Sequence, residues 1–217
     1  MFYKVYLEGN FYMRDDRLII RKERPEDYYD VEYMTKKAFW NLHVPGCEEH
    51  YLVHVLRKSG DYIPELSRIA EIDGKIVGTI MYSKAYILDG ENKIEILTFG
   101  PLCVEPAYQN RGVGGTLLEE TMKLAKEAGY KGIVIFGEPG YYPKHGFKTC
   151  DNFNITTKEG ENSAPFMGIE LQKDGFKDIQ GKFYETEVLD YLDPIKVAEF
   201  DKGFPYMEKL KLPGQWK

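Results

Sequence analysis

The sequence predicts an α/β (α+β) fold in which a mixed, mostly antiparallel central sheet is flanked by helices. Three observations predict this fold class. Apolar runs alternate with turn residues between Ser67 and Val104, as in an antiparallel meander. Apolar residues then recur with helical spacing from Leu117 to Ala128. Finally, the short apolar run from Ile133 to Phe136 is typical of a strand covered on both faces.

Two helices are predicted ahead of the meander, after a short apolar run at 18–21. Pro25 and the two acids after it favour the first turn of a helix, because proline suits that turn and acids suit its positive end. Apolar residues recur at steps of three and four up to Phe39, which predicts a helix over residues 25–39. A turn at Pro45-Gly46 precedes a second predicted helix over residues 48–58.

Turns and one irregularity define the meander. Asp73-Gly74 lies between apolar runs and predicts a hairpin, because a two-residue turn of this type needs positive φ angles. A second turn is predicted over residues 89–92. Gly100-Pro101 then interrupts a strand, since proline lacks an N–H and glycine there often marks a bulge. Backbone groups of Leu102 to Val104 are therefore expected to lack a strand partner, and a ligand with amide groups could supply one.

A glycine-rich loop joins this strand to the next helix. The first turn of a helix presents N–H groups without internal partners and a partial positive charge, and glycines let a phosphate approach that backbone closely. The loop with Gly112, Gly114 and Gly115 is therefore predicted to bind a phosphate-containing ligand, and Arg111 adds a full charge. The alternative, that the glycines only form a tight turn, is less favoured because a strand and a helix closely flank the loop.

The spacing within the loop discriminates between phosphate ligands. A dinucleotide-binding motif needs a third glycine where this chain has Leu117, although Glu138 lies near the expected position of an acidic ribose ligand. A nucleoside-triphosphate loop needs a lysine that Gly115-Thr116 lacks. Both ligands are disfavoured, but a nucleotide-dependent oxidoreductase that binds NAD is kept as an alternative class.

Two motifs resemble the GNAT superfamily of acyl-CoA-dependent N-acetyltransferases. The first is Leu102-x-Val104-x-Pro106-x-x-Gln109-x-x-Gly112-x-Gly114, which is similar to the central Q/R-x-x-G-x-G/A motif of that family with its preceding strand. The second is Tyr142-Pro143-Lys144-His145-Gly146-Phe147, which resembles the Y-x-x-x-G-F turn of the family. The resemblance covers the chain from about Leu18 to Leu171.

The resemblance implies a binding mode and a reaction. Acetyl-CoA, the acyl donor, would lie where the strand around Leu102 splays from the one around Ile135. Backbone groups of Leu102, Cys103 and Val104 would pair with the pantetheine amides. The pyrophosphate would be wrapped by the loop residues Gln109, Asn110, Arg111, Gly112, Val113, Gly114, Gly115 and Thr116. The acetyl group would pass directly to a primary amine in a ternary complex. The Cys103 thiol is then incidental, since no histidine is adjacent in sequence and nothing indicates a lowered pKa.

The resemblance also implies an acid for the departing thiolate, namely Tyr142. A phenol with a pKa near 10 is protonated at neutral pH and can donate. The neighbouring Tyr141 stays open for this role, as does the alternative that both tyrosines only pack. The base stays open between Glu95, Glu138 and a water molecule, because most glutamates are solvated at the surface.

Histidines and cysteines predict no metal site. His50 and His54 stand four residues apart on a predicted helix, but a third ligand at metal spacing is missing, so a surface or substrate-pocket role is favoured. His145 is expected to be a turn residue near CoA. The three cysteines are an odd number without a C-x-x-C pair, which disfavours a disulfide framework and a zinc ribbon.

Amino-acid composition narrows the classes of partner that the protein is expected to bind. Lys and Arg total 29 against 35 Asp and Glu, a net charge of -6, which argues against nucleic acid or an anionic membrane as the main partner. The same balance mildly favours a cationic acceptor. Met1 to Arg17 interleaves aromatic and charged residues, unlike a secretory signal, and no segment has the roughly 20 apolar residues of a membrane span. A reducing, cytoplasmic setting is expected.

The domain prediction divides the chain into an N-acetyltransferase domain, residues 1–171, and a C-terminal extension, residues 172–217, packed on the same domain. In the extension, 181–188 resembles a strand and Asp193-Pro194 resembles a helix start. The extension is expected to shape the acceptor pocket or to form a homodimer contact. A different class, an acyl-CoA-binding sensor without turnover, is kept as the alternative function.

Overall fold

The computed structural model describes residues 17–216. Residues 1–16, which hold nearly all of the segment predicted not to be a secretory signal, lie outside the described residues. Within 17–216 the strands are β1 (Leu18–Arg21), β2 (Arg68–Ile72), β3 (Lys75–Asp89), β4 (Asn92–Val104), β5 (Gly132–Phe136), β6 (Lys148–Thr149), β7 (Ile155–Thr156), β8 (Phe166–Glu170) and β9 (Gly181–Tyr184). The α-helices are α1 (Tyr28–Phe39), α2 (Glu49–Leu56), α3 (Val113–Glu127), α4 (Glu187–Asp190) and α5 (Pro194–Asp201).

All nine strands belong to one sheet. Its main order is β1-β2-β3-β4-β5-β8-β6, and β9 pairs with both β3 and β7. The β4–β5 and β7–β9 pairs are parallel, whereas the other pairs are antiparallel. The predicted fold class, a mostly antiparallel mixed sheet flanked by helices, is therefore confirmed.

Helices cover the sheet on two faces. Successive residues Met81 and Tyr82 of β3 point to opposite sides. Tyr82 joins the core cluster that contains Leu117 and Leu118 of α3. Met81 joins a separate cluster with Val31 of α1 and with residues of α2. The sheet thus has an α3 face and an α1–α2 face, and each is covered by an apolar core cluster.

Local sequence chemistry explains several boundaries. Asp73 and Gly74 have φ angles of 50° and 77°, so the predicted hairpin turn is confirmed. The helix after the glycine loop begins earlier than expected, at Val113, so that Gly114, Gly115 and Thr116 lie in its first turn rather than in a loop. The strand expected over 181–188 is wrong beyond Tyr184, because α4 begins at Glu187.

The chain after Leu171 packs on the rest of the protein. Phe176, Ile179 and Phe183 belong to a core cluster with strand residues of the sheet. Leu189 of α4 packs against the α1–α2 cluster. Asp193 accepts a hydrogen bond from the Ile195 N–H and caps α5, as predicted. Within residues 17–216, no helix is both long and apolar enough to cross a bilayer.

Candidate functional site

A gap opens between β4 and β5. Within the described residues, their one registered pair is Leu97 with Ile133. Beyond it, β4 stays paired with β3 as far as Val104, opposite Gly78. The other edge of β4, from Thr98 to Val104, has no strand partner in residues 17–216. Backbone groups of Leu102, Cys103 and Val104 therefore border the gap, as the sequence predicted.

The predicted bulge lies at the start of this gap. Tyr82 pairs with Phe99 and Ile80 pairs with Leu102, so β4 has one extra residue at Gly100-Pro101. The Gly100–Pro101 peptide bond is cis. A Cβ atom added to Gly100 would have only the Leu189 side chain within 4 Å, at 3.7 Å. The bulge is confirmed, and residues of α4 lie over it.

The first turn of α3 lies beside Val104 at this edge. Gly112 is the N-cap with a φ of 83°, and no side chain of the described part caps the helix. The N–H groups of Val113, Gly114 and Gly115 precede the first intrahelical bond, so they can serve a ligand. Both the N–H and the hydroxyl of Thr116 donate to the Gly112 carbonyl, at 2.9 and 3.1 Å. The Thr116 hydroxyl therefore stabilises the helix end itself.

Two aromatic residues crowd the glycines of this turn. A Cβ on Gly114 would lie 3.1 Å from Tyr141 Oη, and one on Gly115 would lie 3.3 Å from His145 Cε1. The His145 side chain is 7% exposed and faces Glu119 Oε1 with Nδ1 at 3.6 Å. Its Nε2 atom is buried without a hydrogen-bond partner in the described chain. A buried polar atom beside a free helix start fits a polar, phosphate-containing ligand.

Burial and nearby charges keep the His145 imidazole neutral. Burial lowers the pKa of its imidazole, and the positive charge of Lys144 adds to this effect, while the Glu119 carboxylate opposes it. A neutral imidazole has one donor and one acceptor nitrogen. Because Nδ1 faces the Glu119 carboxylate, which only accepts, Nε2 is the acceptor nitrogen and would accept a hydrogen bond from an N–H or O–H group of a ligand.

The loop residues before α3 have different surroundings. The Gln109 side-chain amide donates to the Val104 carbonyl at 3.1 Å and so ties the loop to β4. Asn110 has a φ of 59°, which sets the sharp approach to Gly112. Arg111 is exposed, with its guanidinium carbon 5.3 Å from the Tyr108 ring centroid. Arg111 can thus bring its charge to the loop from the solvent side.

Tyr142 forms part of the wall of the α3 face. Its ring packs against Phe99, Phe147 and Tyr141, with centroid distances of 5.8, 5.4 and 5.1 Å. A Cβ on Gly137 would overlap this ring, so Gly137 gives Tyr142 its place. Burial raises the pKa of the Tyr142 phenol, which is therefore protonated at neutral pH. Sequence reasoning missed Gly137, because a glycine after a strand reveals nothing about the ring beside it.

The Cys103 thiol points away from the gap, towards α1. Its Sγ atom lies 3.6 Å from Thr35 Oγ1 and 3.8 Å from Met34 Sδ. Burial raises the pKa of Cys103 to about 12, so the nucleophilic thiolate is strongly disfavoured. This environment supports an incidental side chain at position 103.

The acidic and histidine candidates lie in several places. Glu95 is 56% exposed and lies 3.7 Å from Lys84. Glu138 is exposed after β5 and accepts the Gly140 N–H. His50 is fully buried, 3.3 Å from Asp201, so the expected surface or pocket role is wrong for this residue. No group of three metal-ligating side chains occurs in residues 17–216.

Comparison with known proteins identifies the family. Residues 64–149 match the model of an acetyltransferase (GNAT) domain. A crystal structure of a GNAT family acetyltransferase from Brucella melitensis, in complex with acetyl-CoA, is 30% identical, with a TM-score of 0.64. That match covers 80% of this chain and 98% of the other. The chain belongs to the GNAT family of acetyltransferases.

Two proteins from Escherichia coli are also similar to this GNAT protein. The GNAT family N-acetyltransferase YhbS from Escherichia coli, crystallised with CoA, has the same fold with a TM-score of 0.72 at 22% identity, over 82% of this chain and 94% of that chain. The uncharacterized N-acetyltransferase YjhQ from Escherichia coli K12 is 33% identical over 124 residues, 57% of this chain and 66% of YjhQ. Membership confirms the predicted acyltransferase class, and acetyl-CoA is the acyl donor of the family.

Proposed function

We propose that this GNAT protein transfers the acetyl group of acetyl-CoA to a primary amine, by direct attack within a ternary complex. The observation that carries the proposal is the gap between β4 and β5. It has the unpaired β4 edge on one side, the uncapped start of α3 at one end, and Tyr142 in its wall. Few ligands match a hydrogen-bonding strand edge next to an anion site, and acetyl-CoA is one of them.

Different residues would bind different parts of acetyl-CoA. N–H groups of Val113, Gly114 and Gly115 would hold the pyrophosphate, with His145 Nε2 beside them. Backbone groups of Leu102, Cys103 and Val104 would pair with the pantetheine amides along the open edge. Bound acetyl-CoA supplies an activated thioester carbonyl. These contacts hold its reactive end near the bulge at Gly100-Pro101.

Tyr142 would act as the general acid. Its phenol would donate a proton to the sulfur as the carbon–sulfur bond breaks. A raised phenol pKa does not prevent this step, because the same dry surroundings also disfavour the thiolate form of CoA and raise the pKa of its thiol. The acidic balance of the chain favours a cationic amine as acceptor. Residues 172–217 would shape the acceptor side, where Leu189 covers Gly100.

Two measurements test this function. Calorimetric titration should show binding of CoA and none of NAD; binding of NAD alone would favour an oxidoreductase and overturn the proposal. Thiol release from acetyl-CoA is then measured over a panel of polyamines, amino acid derivatives and peptides. Release above the hydrolysis background with one amine supports transfer. A protein that binds CoA but releases no thiol with any amine would be a sensor of acyl-CoA.

A further inference from the structure

The C-terminal segment covers the gap from the α1–α2 face of the sheet. Phe183 of β9 lies with its ring centroid 6.3 Å from that of Phe136, at the end of β5. Leu189 of α4 faces Gly100 of β4. These two contacts reach the two strands that border the gap. Glu185 lies between them in sequence, two residues after Phe183 and four before Leu189.

Strand geometry places the Glu185 side chain on the same face of the sheet as that of Phe183. Phe183 pairs with Ile87 in register, and both belong to the same core cluster. Because side chains alternate along a strand, the extended chain after Tyr184 brings Glu185 back to the side of Phe183. Tyr142 lies on the opposite face, against Phe99. An acid and a carboxylate thus flank the gap from its two sides.

The Glu185 carboxylate lacks a partner. It is half-buried, and no hydrogen bond or ion pair within residues 17–216 involves it. The nearest charges, Lys158 and Asp190, are paired with each other at 3.0 Å. On the same face, Ser83 stands opposite Thr98 in register, and its buried Oγ also lacks a hydrogen-bond partner in the described chain. The unsatisfied, buried Ser83 hydroxyl beside the gap indicates a ligand that completes its hydrogen bond.

We propose that Glu185 binds the ammonium group of the acceptor and is the general base that removes its proton, directly or through one water molecule. This inference rests on the proposed function and assigns its base. Glu185 and Thr186 line a cavity of about 250 Å³ that opens to solvent.

The proton balance closes with this assignment. An ammonium R-NH3+ gives one proton to the Glu185 carboxylate, and the freed nitrogen lone pair forms a bond to the thioester carbon. As the carbon–sulfur bond breaks, sulfur takes the Tyr142 proton, and the second nitrogen proton restores the phenol through water. Glu185 releases its proton to solvent. The net change is acetyl-CoA plus ammonium to amide, CoA thiol and one free proton.

The surroundings suit a base at neutral pH. Burial raises the pKa of Glu185 to about 7, the negative charge of Asp190 adds to this, and Lys158 opposes it. The other titratable side chains that line the cavity are Asp61, Lys84, Tyr86, Lys93 and Glu95. A base with a pKa near the working pH combines proton affinity with a substantial ionised fraction.

The test compares Glu185→Gln with Glu95→Gln and Glu138→Gln on the best amine of the panel. In the unchanged protein, kcat/KM should rise with pH through about 7. Glu185→Gln should lose this limb and about 100-fold in kcat/KM at pH 8, while its calorimetric affinity for CoA is retained. The two control variants should keep the limb. Glu185→Asp, which retains a carboxylate, should keep the limb with a smaller loss.

A second readout does not depend on turnover. The carboxyl carbon of Glu185, followed by NMR with pH in the free protein, should titrate near pH 7. Titration below pH 5, or a Glu185→Gln variant with the full rate and an unchanged pH profile, would overturn the assignment. If the unchanged protein binds CoA but acetylates no amine, the proposed function fails instead, and the NMR titration still reports on Glu185.

Discussion

Lys36 Nζ lies 2.7 Å from Asp201 Oδ1 and thereby joins α1 to the last residue of α5. The Lys36 side chain is fully buried, donates to the Pro205 carbonyl at 3.0 Å, and lies 4.6 Å from the Trp40 ring centroid. A buried ammonium is costly unless it is paired and hydrogen-bonded. The pair therefore holds the C-terminal segment on α1, and this same segment carries Glu185 and Leu189 to the gap.

Loss of the Lys36–Asp201 ion pair should lower the free energy of unfolding. Asp201→Ala leaves the Lys36 ammonium buried without its counter-ion, which should lower the free energy of unfolding by about 3 kcal/mol. Urea denaturation measures the change. Glu199→Ala, on the exposed side of α5, is the control and should cost less than about 1 kcal/mol. Combining Asp201→Ala with Lys36→Met should restore part of the loss; no recovery would contradict the stated cause.

The start of α3 should decide CoA affinity. Gly112→Asp places a carboxylate where the pyrophosphate would bind, so affinity should fall at least 10-fold by repulsion and bulk. Gly129→Asp is the matched control, because Gly129 follows the other end of the same helix with a φ of 86° and open space around it. Calorimetry on both variants makes the comparison. Equal affinities for the two would remove the α3 start from the binding site.

Local chemistry made part of the fold predictable. The Asp73-Gly74 hairpin and the Gly100-Pro101 bulge follow from what aspartate, glycine and proline allow in a backbone. The start of α3 did not follow, since glycine is a poor helix former and the loop was expected to last until Thr116. Tyr141 and His145 favour glycine at 114 and 115, because their side chains crowd the positions that a Cβ atom would take.

The parts of the site that depend on long-range contacts could not be predicted from the sequence. The motifs pointed to the strand edge, the loop and Tyr142, which are all close in sequence to the glycines or to the turn. Glu185 joins the site only because Phe183 reaches Phe136 and Leu189 reaches Gly100 across the fold. His50 was expected at the surface or in a substrate pocket, but Asp201 and Phe200 of α5 cover it. No local pattern encodes which surface a C-terminal segment will cover.

The phenol of Tyr142 should matter for turnover and not for binding. Tyr142→Phe keeps the ring packed on Phe99 and removes only the proton donor, so kcat should fall about 100-fold while CoA affinity stays within twofold. Steady-state thiol release and calorimetry measure the two quantities. Tyr141→Phe tests the neighbouring phenol. A normal kcat for Tyr142→Phe, with a reduced one for Tyr141→Phe, would transfer the acid role to Tyr141.

Gly137 should matter through the position of the Tyr142 ring. An alanine at 137 overlaps that ring and forces it to move, so kcat should fall about 10-fold or more with a smaller change in CoA affinity. Gly140→Ala is the control in the same loop, because its Cβ would meet only Glu138 Oε1, at 3.6 Å. Adding Tyr142→Phe to Gly137→Ala should lower kcat little further. Fully additive losses would show that Gly137 acts independently of Tyr142.

The raised pKa of Glu185 has a consequence for stability. The folded state holds the proton more tightly than the unfolded state, with a pKa of about 7 against an ordinary 4.5. Stability from this residue is therefore complete below pH 4.5 and declines as pH rises through about 7, by at most about 3 kcal/mol because solvent screens a half-buried group. Glu185→Gln cannot ionise, so its unfolding free energy relative to the unchanged protein should increase between pH 4.5 and pH 8. Urea denaturation at both pH values measures this increase. A pH-independent difference for Glu185→Gln would mean that the carboxyl ionises normally.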